Sequence, residues 1–377
     1  MTKLEKTTYR NRFKEAGYTD QEIEDKIQLT WKAIFVEPET KFYFNVGEDM
    51  GYMVDTGNTD VRTEGQSYGM MMAVQMDRQD IFDRIWKWTD TFMRNHDGPY
   101  KGYFGWHATL DGEKMSEGPA PDGEEFFAMA LFLASKRWGD KTETPFNYSE
   151  QARELLSVCI HKGENDEEGD PMWNPENYLI KFVPDWEFTD PSYHLPHFYE
   201  CFSEWANKED RDFWRKAAAA SRAFIPTSTH PETGMNPEYS YYDGTPNPVN
   251  DHGDFYSDAY RLAANVGLDA EWFGKREDYG TIIENLLTFF DGKELDDYQK
   301  YVIDGTETSE PSLHPIGLLS ANAMGALALN HSELTDRIVK QFFNTAPREG
   351  NRRYYDNGLY FFTVLALSRR YRMNWTD

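Results

Sequence analysis

The chain has 377 residues, 16% of them aromatic, and its 39 lysines and arginines against 65 acidic residues give a formal charge of −26. Nucleic-acid binding needs clustered cations that neutralise phosphates, so this charge argues against a nucleic-acid partner, an anionic membrane or an anionic substrate. A neutral substrate fits best, and the excess of aromatic rings, whose faces stack on sugar rings, points towards carbohydrate.

The N-terminus, Met-Thr-Lys-Leu-Glu-Lys-Thr-Thr, contains no apolar segment of the kind found in a secretory signal. No apolar run approaches the length needed to span a bilayer. We therefore expect a cytoplasmic protein with no membrane partner. Cys159 and Cys201 both lie in apolar helical segments, which predicts two small core residues rather than a disulfide or a metal pair.

Apolar residues recur at helical spacing along the whole chain. They predict about a dozen helices, near 20–35, 64–77, 79–95, 123–138, 149–161, 194–206, 209–225, 254–266, 271–291, 316–330, 333–343 and 357–371. The last segment is apolar almost all round, which predicts burial on two sides.

Long polar and aromatic loops alternate with short connections between these helices. The long loops are 36–63, 96–122, 162–193, 226–253 and 292–315. Six helix pairs with short links on one side and long loops on the other describe an all-α (α/α)6 barrel, whose long loops would form a substrate groove at one end. No linker divides the chain, so we expect one domain, 1–377, with 1–18 as an N-terminal arm; two separate helical bundles are the alternative.

The stretch from Val61 to Met70 predicts the start of a buried helix. Thr63 followed by Gln66 has the spacing of a capping box, with Thr63 as N-cap. Glu64 would then lie in the first turn, where the helix dipole lowers the pKa of a carboxyl and burial among aromatic residues raises it. If burial dominates, Glu64 suits a general acid; if the dipole dominates, it is only a helix-terminal anion.

Two further carboxylates lie where long loops meet helices. Asp122 is a predicted N-cap, and capping alone would explain it. Asp258 and Arg261 are three residues apart and would share a helix face, where the guanidinium keeps the carboxylate ionised, as a base requires. The alternative is a surface ion pair, but the flanking apolar residues indicate a largely buried segment.

A carboxyl that stays protonated beside one that is held ionised is the usual equipment for glycoside hydrolysis. Aromatic side chains near these acids would provide platforms for sugar rings. They include Trp106, Trp173, Trp186, Tyr193, Tyr354 and Tyr355.

Three motifs, in this order and spacing, resemble the signature of family eight of the glycoside hydrolases: Arg62-Thr-Glu-Gly-Gln-Ser-Tyr-Gly69, Pro121-Asp-Gly-Glu-Glu125 and Tyr256-Ser-Asp-Ala-Tyr-Arg261. The likeness runs from about residue 40 to the C-terminus. It implies an (α/α)6 barrel, cleavage of β-1,4 links with inversion, and no cofactor. Within the family the chain is most similar to exo-acting members that release xylose from the reducing end of xylo-oligosaccharides.

The resemblance also implies roles for individual residues. Glu64 corresponds to the general acid and Asp258 to the general base. Asp122 matches an aspartate that grips and distorts the sugar beside the scissile bond, and Tyr193 resembles a tyrosine that helps to hold the attacking water. Arg261 matches the partner of the base.

His314, in Ser-Leu-His-Pro, resembles the loop that closes the reducing-end side in exo-acting members. A loop histidine without a ligand is the alternative for this residue. For the whole chain, the alternatives are an endo-acting xylanase, glucanase or chitosanase of the same family and a non-catalytic oligosaccharide-binding protein. No histidine or acidic cluster has a spacing that predicts a metal site.

Overall fold

The computed structural model describes Leu4, Lys6 and residues 8–375. Part of the predicted N-terminal arm, residues 1–3, 5 and 7, thus lies outside the described residues. The α-helices found are α1 Arg12–Glu15, α2 Asp20–Phe35, α3 Thr63–Gln75, α4 Gln79–Phe92, α5 Pro121–Trp138, α6 Tyr148–His161, α7 Pro196–Trp205, α8 Arg211–Thr227, α9 Arg261–Phe273, α10 Glu277–Phe290, α11 Pro315–Gly325, α12 Glu333–Asn344 and α13 Arg353–Leu367.

Six short strands form three antiparallel pairs within the long loops. β1 Tyr43–Val46 pairs with β2 Met50–Met53, β3 Val61–Arg62 with β4 His107–Ala108, and β5 Gln299–Tyr301 with β6 Glu307–Pro311. The sequence predicted none of these strands, because two to five residues carry too little alternation of apolar and polar side chains to be recognised.

All twelve predicted helices are present, but the boundaries around α9 were wrong. The predicted break lay after 266, whereas α9 continues through Gly267 and ends before Gly274, whose φ is +107°. Gly267 is required by packing, since a Cβ there would lie 2.2 Å from the carbonyl oxygen of Met324. Gly274, in the left-handed region, is the residue that ends the helix.

The contacts divide the chain into two compact units. Unit 1 comprises Met1–Trp31, Phe188–His197 and Ala219–Arg372; unit 2 comprises Lys32–Glu187, Phe198–Ala218 and Met373–Asp377. The expectation of one domain stays a prediction.

In unit 2, helix α3 packs between α4 and α5, and α5 also packs on α6. Helix α3 is buried from Gly65 to Gln75, as the run Met70-Met-Met-Ala-Val74 predicts. Helix α4 buries one stripe instead, which includes Ile81, Ile85, Trp88 and Thr89. Helices that are apolar all round thus form the interior of this unit, and amphipathic helices cover them.

In unit 1, α11 contacts α9, α12 and α13. The predicted burial of the last helix is confirmed, since every residue of α13 from Tyr354 to Leu367 is buried. The amphipathic α12 buries only Thr335, Ile338, Val339 and Phe342. The starts of α9, α11 and α13 carry the polar residues described below.

Cys159 and Cys201 are buried free thiols in contact with the sulfur atoms of Met172 and Met373, which confirms that they are core residues. Across the described part of the chain, no helix combines the length and apolar character needed to cross a membrane. The same residues include no group of three or more His, Cys, Asp or Glu side chains arranged to hold a metal ion.

Candidate active site

Glu64 lies in the first turn of α3, partly exposed, as predicted, but the helix is not capped as predicted. Arg62 is the N-cap residue and makes no side-chain capping bond. Thr63 is already helical, and its N–H donates to the carbonyl of Trp106 (3.0 Å). Gln66 is buried; it accepts from the N–H of Met53 (2.7 Å) and donates to Thr89 Oγ1 (2.8 Å). The predicted capping box is therefore wrong, and Gln66 ties α3 to its surroundings instead.

The starts of α3 and α5, which carry Glu64 and Asp122, are in contact in unit 2. A Cβ added to Gly123 would fall 2.6 Å from the Cβ of Thr63, so only glycine permits this approach. Asp122 is 7% exposed, and its Oδ1 accepts from the N–H of Gly123 (2.9 Å). The N-cap of α5 is Ala120, which corrects the predicted capping role of Asp122. Two neighbouring helix N-termini in unit 2 thus each carry a carboxyl group in the first turn.

Trp106, whose carbonyl accepts from the N–H of Thr63, is partly exposed. The imidazole of His107 stacks on its ring at 3.6 Å, and the Arg62 guanidinium lies 5.3 Å from the ring centre. Asp60 in turn holds Arg62, with 3.0 Å between Oδ1 and Nε. The indole is therefore fixed in place by protein contacts on its ring.

Glu124 is a buried acid that sequence reasoning did not single out. It is 0% exposed, and its Oε1 accepts from the N–H of Phe104 (3.0 Å). Burial, together with the nearby Asp122 carboxylate, raises the pKa of Glu124 to about 8. A neutral Glu124 adds no charge near Asp122 at neutral pH.

Asp258 and Arg261 are in contact in unit 1, as their spacing predicts. A short 3-10 helix, Ser257–Tyr260, runs directly into α9, which begins at Arg261. Arg261 Nη2 lies 3.5 Å from Asp258 Oδ1. The Asp258 side chain is 37% exposed, whereas that of Arg261 is 6% exposed, so a buried cation faces an accessible carboxylate.

A second carboxylate, Asp190, shares the same guanidinium. Its Oδ2 lies 3.6 Å from Arg261 Nη2, and its side chain is 0% exposed. Burial raises the pKa of Asp190 well above its usual value, although Arg261 opposes this shift.

Asp190 also places Tyr193. Its Oδ1 caps the short 3-10 helix Pro191–Tyr193 by accepting from the N–H of Ser192 (2.7 Å). The ring of Tyr193 then lies 5.4 Å from the Arg261 guanidinium carbon. The sequence Asp-Pro-Ser has the form of such a cap, a signal that sequence reasoning left unused.

Glu238 and His252 support the backbone of Asp258, and the sequence analysis missed both. Glu238 Oε1 accepts from the N–H of Asp258 (3.4 Å), and Oε2 lies 2.9 Å from His252 Nδ1. Burial raises the pKa of Glu238, and its hydrogen bond to His252 raises the pKa of that histidine. No local pattern marks this pair, because loop 239–251 separates its members.

His314 lies in a loop, residues 312–314, that is bonded to the turn carrying Asp258. The hydroxyl of Tyr260 lies 3.1 Å from Ser312 Oγ, and Tyr355 donates to the carbonyl of Ser257 (3.0 Å) while its ring lies 4.6 Å from that of His314. Unit 1 therefore brings together five predicted site residues: Tyr193, Asp258, Arg261, His314 and Tyr355.

Four predicted sugar platforms are more buried than that role requires. Trp173 is 0% exposed and packs edge-on against Tyr199 and Trp214, so the interpretation of Trp173 as a platform is wrong; it is a core residue of unit 2. Tyr193, Tyr354 and Tyr355 are 5%, 5% and 8% exposed, which argues against open ring faces. Aromatic content alone could not separate core rings from accessible ones.

The family described as Glycosyl hydrolases family 8 matches residues 41–369. The chain belongs to this family. It is 59% identical over 366 residues to the reducing end xylose-releasing exo-oligoxylanase of Halalkalibacterium halodurans, covering 97% of this chain and 94% of that protein.

Two further comparisons agree with this assignment. A reducing-end xylose-releasing exo-oligoxylanase of Paenibacillus barcinonensis is 55% identical over 370 residues, covering 97% of each protein. The crystal structure of a mutant reducing-end-xylose releasing exo-oligoxylanase complexed with xylobiose matches with a TM-score of 0.96 at 58% identity, covering 98% of both chains. The predicted fold class, an all-α (α/α)6 barrel, is confirmed by such matches, and the chain is a glycoside hydrolase.

Proposed function

We propose that this enzyme releases xylose from the reducing end of β-1,4-xylo-oligosaccharides with inversion at the anomeric carbon. The observation that carries the proposal is the near full-length identity, between 50% and 59%, to three relatives that bear this activity in their names. A contact between two segments adds support. It joins the loop of His314, which would close the reducing-end side of the groove, to the turn that carries Asp258, the proposed general base.

In the proposed reaction, Glu64 protonates the glycosidic oxygen as the leaving group departs. Asp258 takes a proton from a water molecule that attacks the anomeric carbon from the opposite face. Inversion requires the two carboxyl groups to stand about 6.5–9.5 Å apart, which leaves room for that water. No metal or organic cofactor takes part in this scheme.

The other site residues hold these groups and the sugar. Arg261 holds the carboxylate of Asp258 through the 3.5 Å contact between Nη2 and Oδ1. Tyr193, set by the Asp190 cap, orients the water. Asp122, at the N-terminus of α5, binds hydroxyl groups of the sugar beside the scissile bond, where distortion towards the transition state is needed.

Proton NMR of xylotriose with the purified enzyme, followed from the first minutes, tests the proposal. We expect xylose and xylobiose, with the new reducing end appearing first as the α anomer. A β anomer would mean retention and would refute the roles of Glu64 and Asp258. Products of internal cleavage from polymeric xylan, glucan or chitosan would favour the endo-acting alternative, and binding of xylobiose without turnover would favour the binding-protein alternative.

Substitutions at the two proposed catalytic residues provide a second test. Glu64→Ala and Asp258→Asn should each lower kcat on xylotriose at least about 100-fold, because each removes a proton-transfer group. Asp254→Asn is a matched control, since Asp254 lies four residues before Asp258 and faces Lys300 (3.5 Å) instead of Arg261. If the Asp254 variant lost as much activity as the Asp258 variant, the assignment of the base would be wrong.

Cytoplasmic location remains a prediction that cell fractionation can check.

A further inference from the structure

Residues 238–240 form a short segment of unit 1 that is bonded, through its backbone, to the chain before both turns of the proposed base site. Its last residue exchanges two backbone hydrogen bonds with Thr189, each 2.9 Å long, just before the turn that carries Tyr193. Its first residue donates its N–H to the carbonyl of Asp254 (2.9 Å), just before the turn that carries Asp258. One segment of three residues thus links the two turns.

The side chain of Glu238 adds a further bond to the turn of the base. It is 3% exposed, and its Oε1 accepts from the N–H of Asp258 (3.4 Å). The N-cap residue of the 3-10 helix in this turn is Tyr256, which makes no side-chain capping bond. The first N–H groups of a helix have no partner within the helix. Glu238 therefore supplies, from another segment, the cap that this helix lacks locally.

His252 holds the second oxygen of the same carboxyl group. Its Nδ1 lies 2.9 Å from Glu238 Oε2. The histidine is itself fixed by Tyr239, whose N–H donates to the His252 carbonyl (2.9 Å) and whose ring centre lies 4.3 Å from that of the imidazole. Both oxygens of Glu238 thus have a partner, and rotation of the carboxyl group would break both bonds.

The chemistry proposed above depends on the relative placement of these two turns. An inverting reaction needs one water molecule held between the base and the sugar, and Tyr193 and Asp258 would hold it together. A displacement of about 1 Å at a reacting group can cost about 100-fold in rate. Arg261 contacts the side chains of both residues, whereas residues 238–240 bind the backbone on either side.

We infer that Glu238, held by His252, is a positioning residue that fixes the turn of Asp258 relative to the turn of Tyr193. The inference rests on the proposed function for the role of Asp258 as the base. The placement of the turn follows from the contacts of Glu238 alone. Since Glu238 acts through the backbone of Asp258, its loss slows the chemical step and leaves the binding of the sugar unchanged.

Two substitutions at Glu238 test this role. Glu238→Ala removes both contacts, whereas Glu238→Gln keeps an oxygen that accepts from the Asp258 N–H and gains an amide group that donates to His252 Nδ1. We expect Glu238→Ala to lower kcat on xylotriose about 10- to 100-fold with KM within about threefold, and Glu238→Gln to restore kcat to within about threefold of the wild type. Wild-type kcat in Glu238→Ala, or an equal loss in Glu238→Gln, would overturn the inference.

His252→Ala carries the test if Glu238→Ala does not fold, because the His252 side chain is 34% exposed. In this variant Glu238 keeps its bond to Asp258 and loses its own support. We expect kcat to fall about three- to tenfold with KM unchanged, and a wild-type kcat would contradict the role of His252.

Asp243→Ala is the matched control. Asp243 is an exposed carboxylate in the same loop, 239–251, and it too accepts from a backbone N–H, that of Thr245 (2.9 Å). This variant should leave kcat and KM unchanged. A loss equal to that of Glu238→Ala would show that the order of the loop, and not the bond to Asp258, is what the enzyme requires.

Crystal structures of the two Glu238 variants give a measurement that does not depend on activity. We expect the Asp258 turn to move by about 1 Å in Glu238→Ala and to keep its place in Glu238→Gln. An unmoved turn in Glu238→Ala would overturn the inference. If the unsubstituted enzyme cleaved no xylo-oligosaccharide, the proposed function would be refuted while these structures would still decide the positioning role, so the two failures are distinguishable.

Discussion

Asp190 performs two functions that can be separated by substitution, the capping of the Tyr193 turn and the contact with Arg261. Asp190→Ala removes both, whereas Asp190→Asn keeps a side-chain oxygen that can accept from the N–H of Ser192. Loss of such a cap costs about 0.5–2 kcal/mol. If that free energy is lost from the transition state through a displaced Tyr193, kcat/KM falls about 2- to 30-fold.

The Asn variant should retain kcat/KM within about threefold at neutral pH, because burial raises the pKa of Asp190 and favours the neutral carboxyl that an amide imitates. The raised pKa also determines whether stability rises or falls with pH. Ionisation of Asp190 opposes folding, so the wild type should lose stability relative to Asp190→Asn as pH rises from about 4 through the raised value.

Xylotriose kinetics and urea unfolding of the two variants between pH 5 and 9 provide the measurements. Equal loss of activity in Asn and Ala variants would show that the charge of Asp190, and not its cap, is what the site requires. Full activity of Asp190→Ala would refute the reasoning that this cap places Tyr193.

Two other predictions concern the supports of the site. Hydrogen bonding to Glu238 raises the pKa of His252, so the protonated histidine stabilises the folded state. This stabilisation is complete below about pH 6.5, the ordinary histidine value, and is lost as pH rises through the raised pKa. In thermal unfolding, His252→Asn should lack this decline, and a variant with the same pH profile as the wild type would contradict the linkage. Gly123→Ala should lower the free energy of unfolding in urea by about 1–3 kcal/mol and lower activity, because the new Cβ would lie 2.6 Å from that of Thr63. If the variant kept wild-type stability and activity, α3 and α5 could move apart without consequence.

The fold could be predicted from the sequence because its helices have long, periodic apolar faces. Errors at individual helix boundaries do not change a pattern of twelve helices. Local rules failed where packing used the same residue types for another purpose. Gly267 resembles a helix terminator but fits against the Met324 carbonyl, and Gln66 has capping-box spacing but binds Met53 and Thr89. In both cases the deciding neighbour belongs to another element and leaves no trace nearby in the sequence.

The predicted site residues came from motifs, whereas the residues that support them did not. Asp258 and Arg261 are three residues apart, so their contact could be expected from helical spacing. His314 and Asp356 are 42 residues apart and meet only because α11 and α13 pack together. Sequence reasoning thus recovers groups within one turn and misses partners that the tertiary structure supplies.

The difference in burial between Asp190 and Asp258 explains how one guanidinium serves two carboxyl groups. Arg261 Nη2 is almost equally distant from both, at 3.6 and 3.5 Å, so distance does not select its partner. The side chain of Asp190 is 0% exposed and that of Asp258 is 37% exposed, and desolvation penalises the charged form of the buried group far more. Burial thus raises the pKa of Asp190, and in its neutral form this carboxyl leaves the positive charge of Arg261 facing Asp258, the carboxylate that water can reach. Two aspartates of identical chemistry acquire different tasks from their depth in unit 1, a property that no spacing in the sequence reveals.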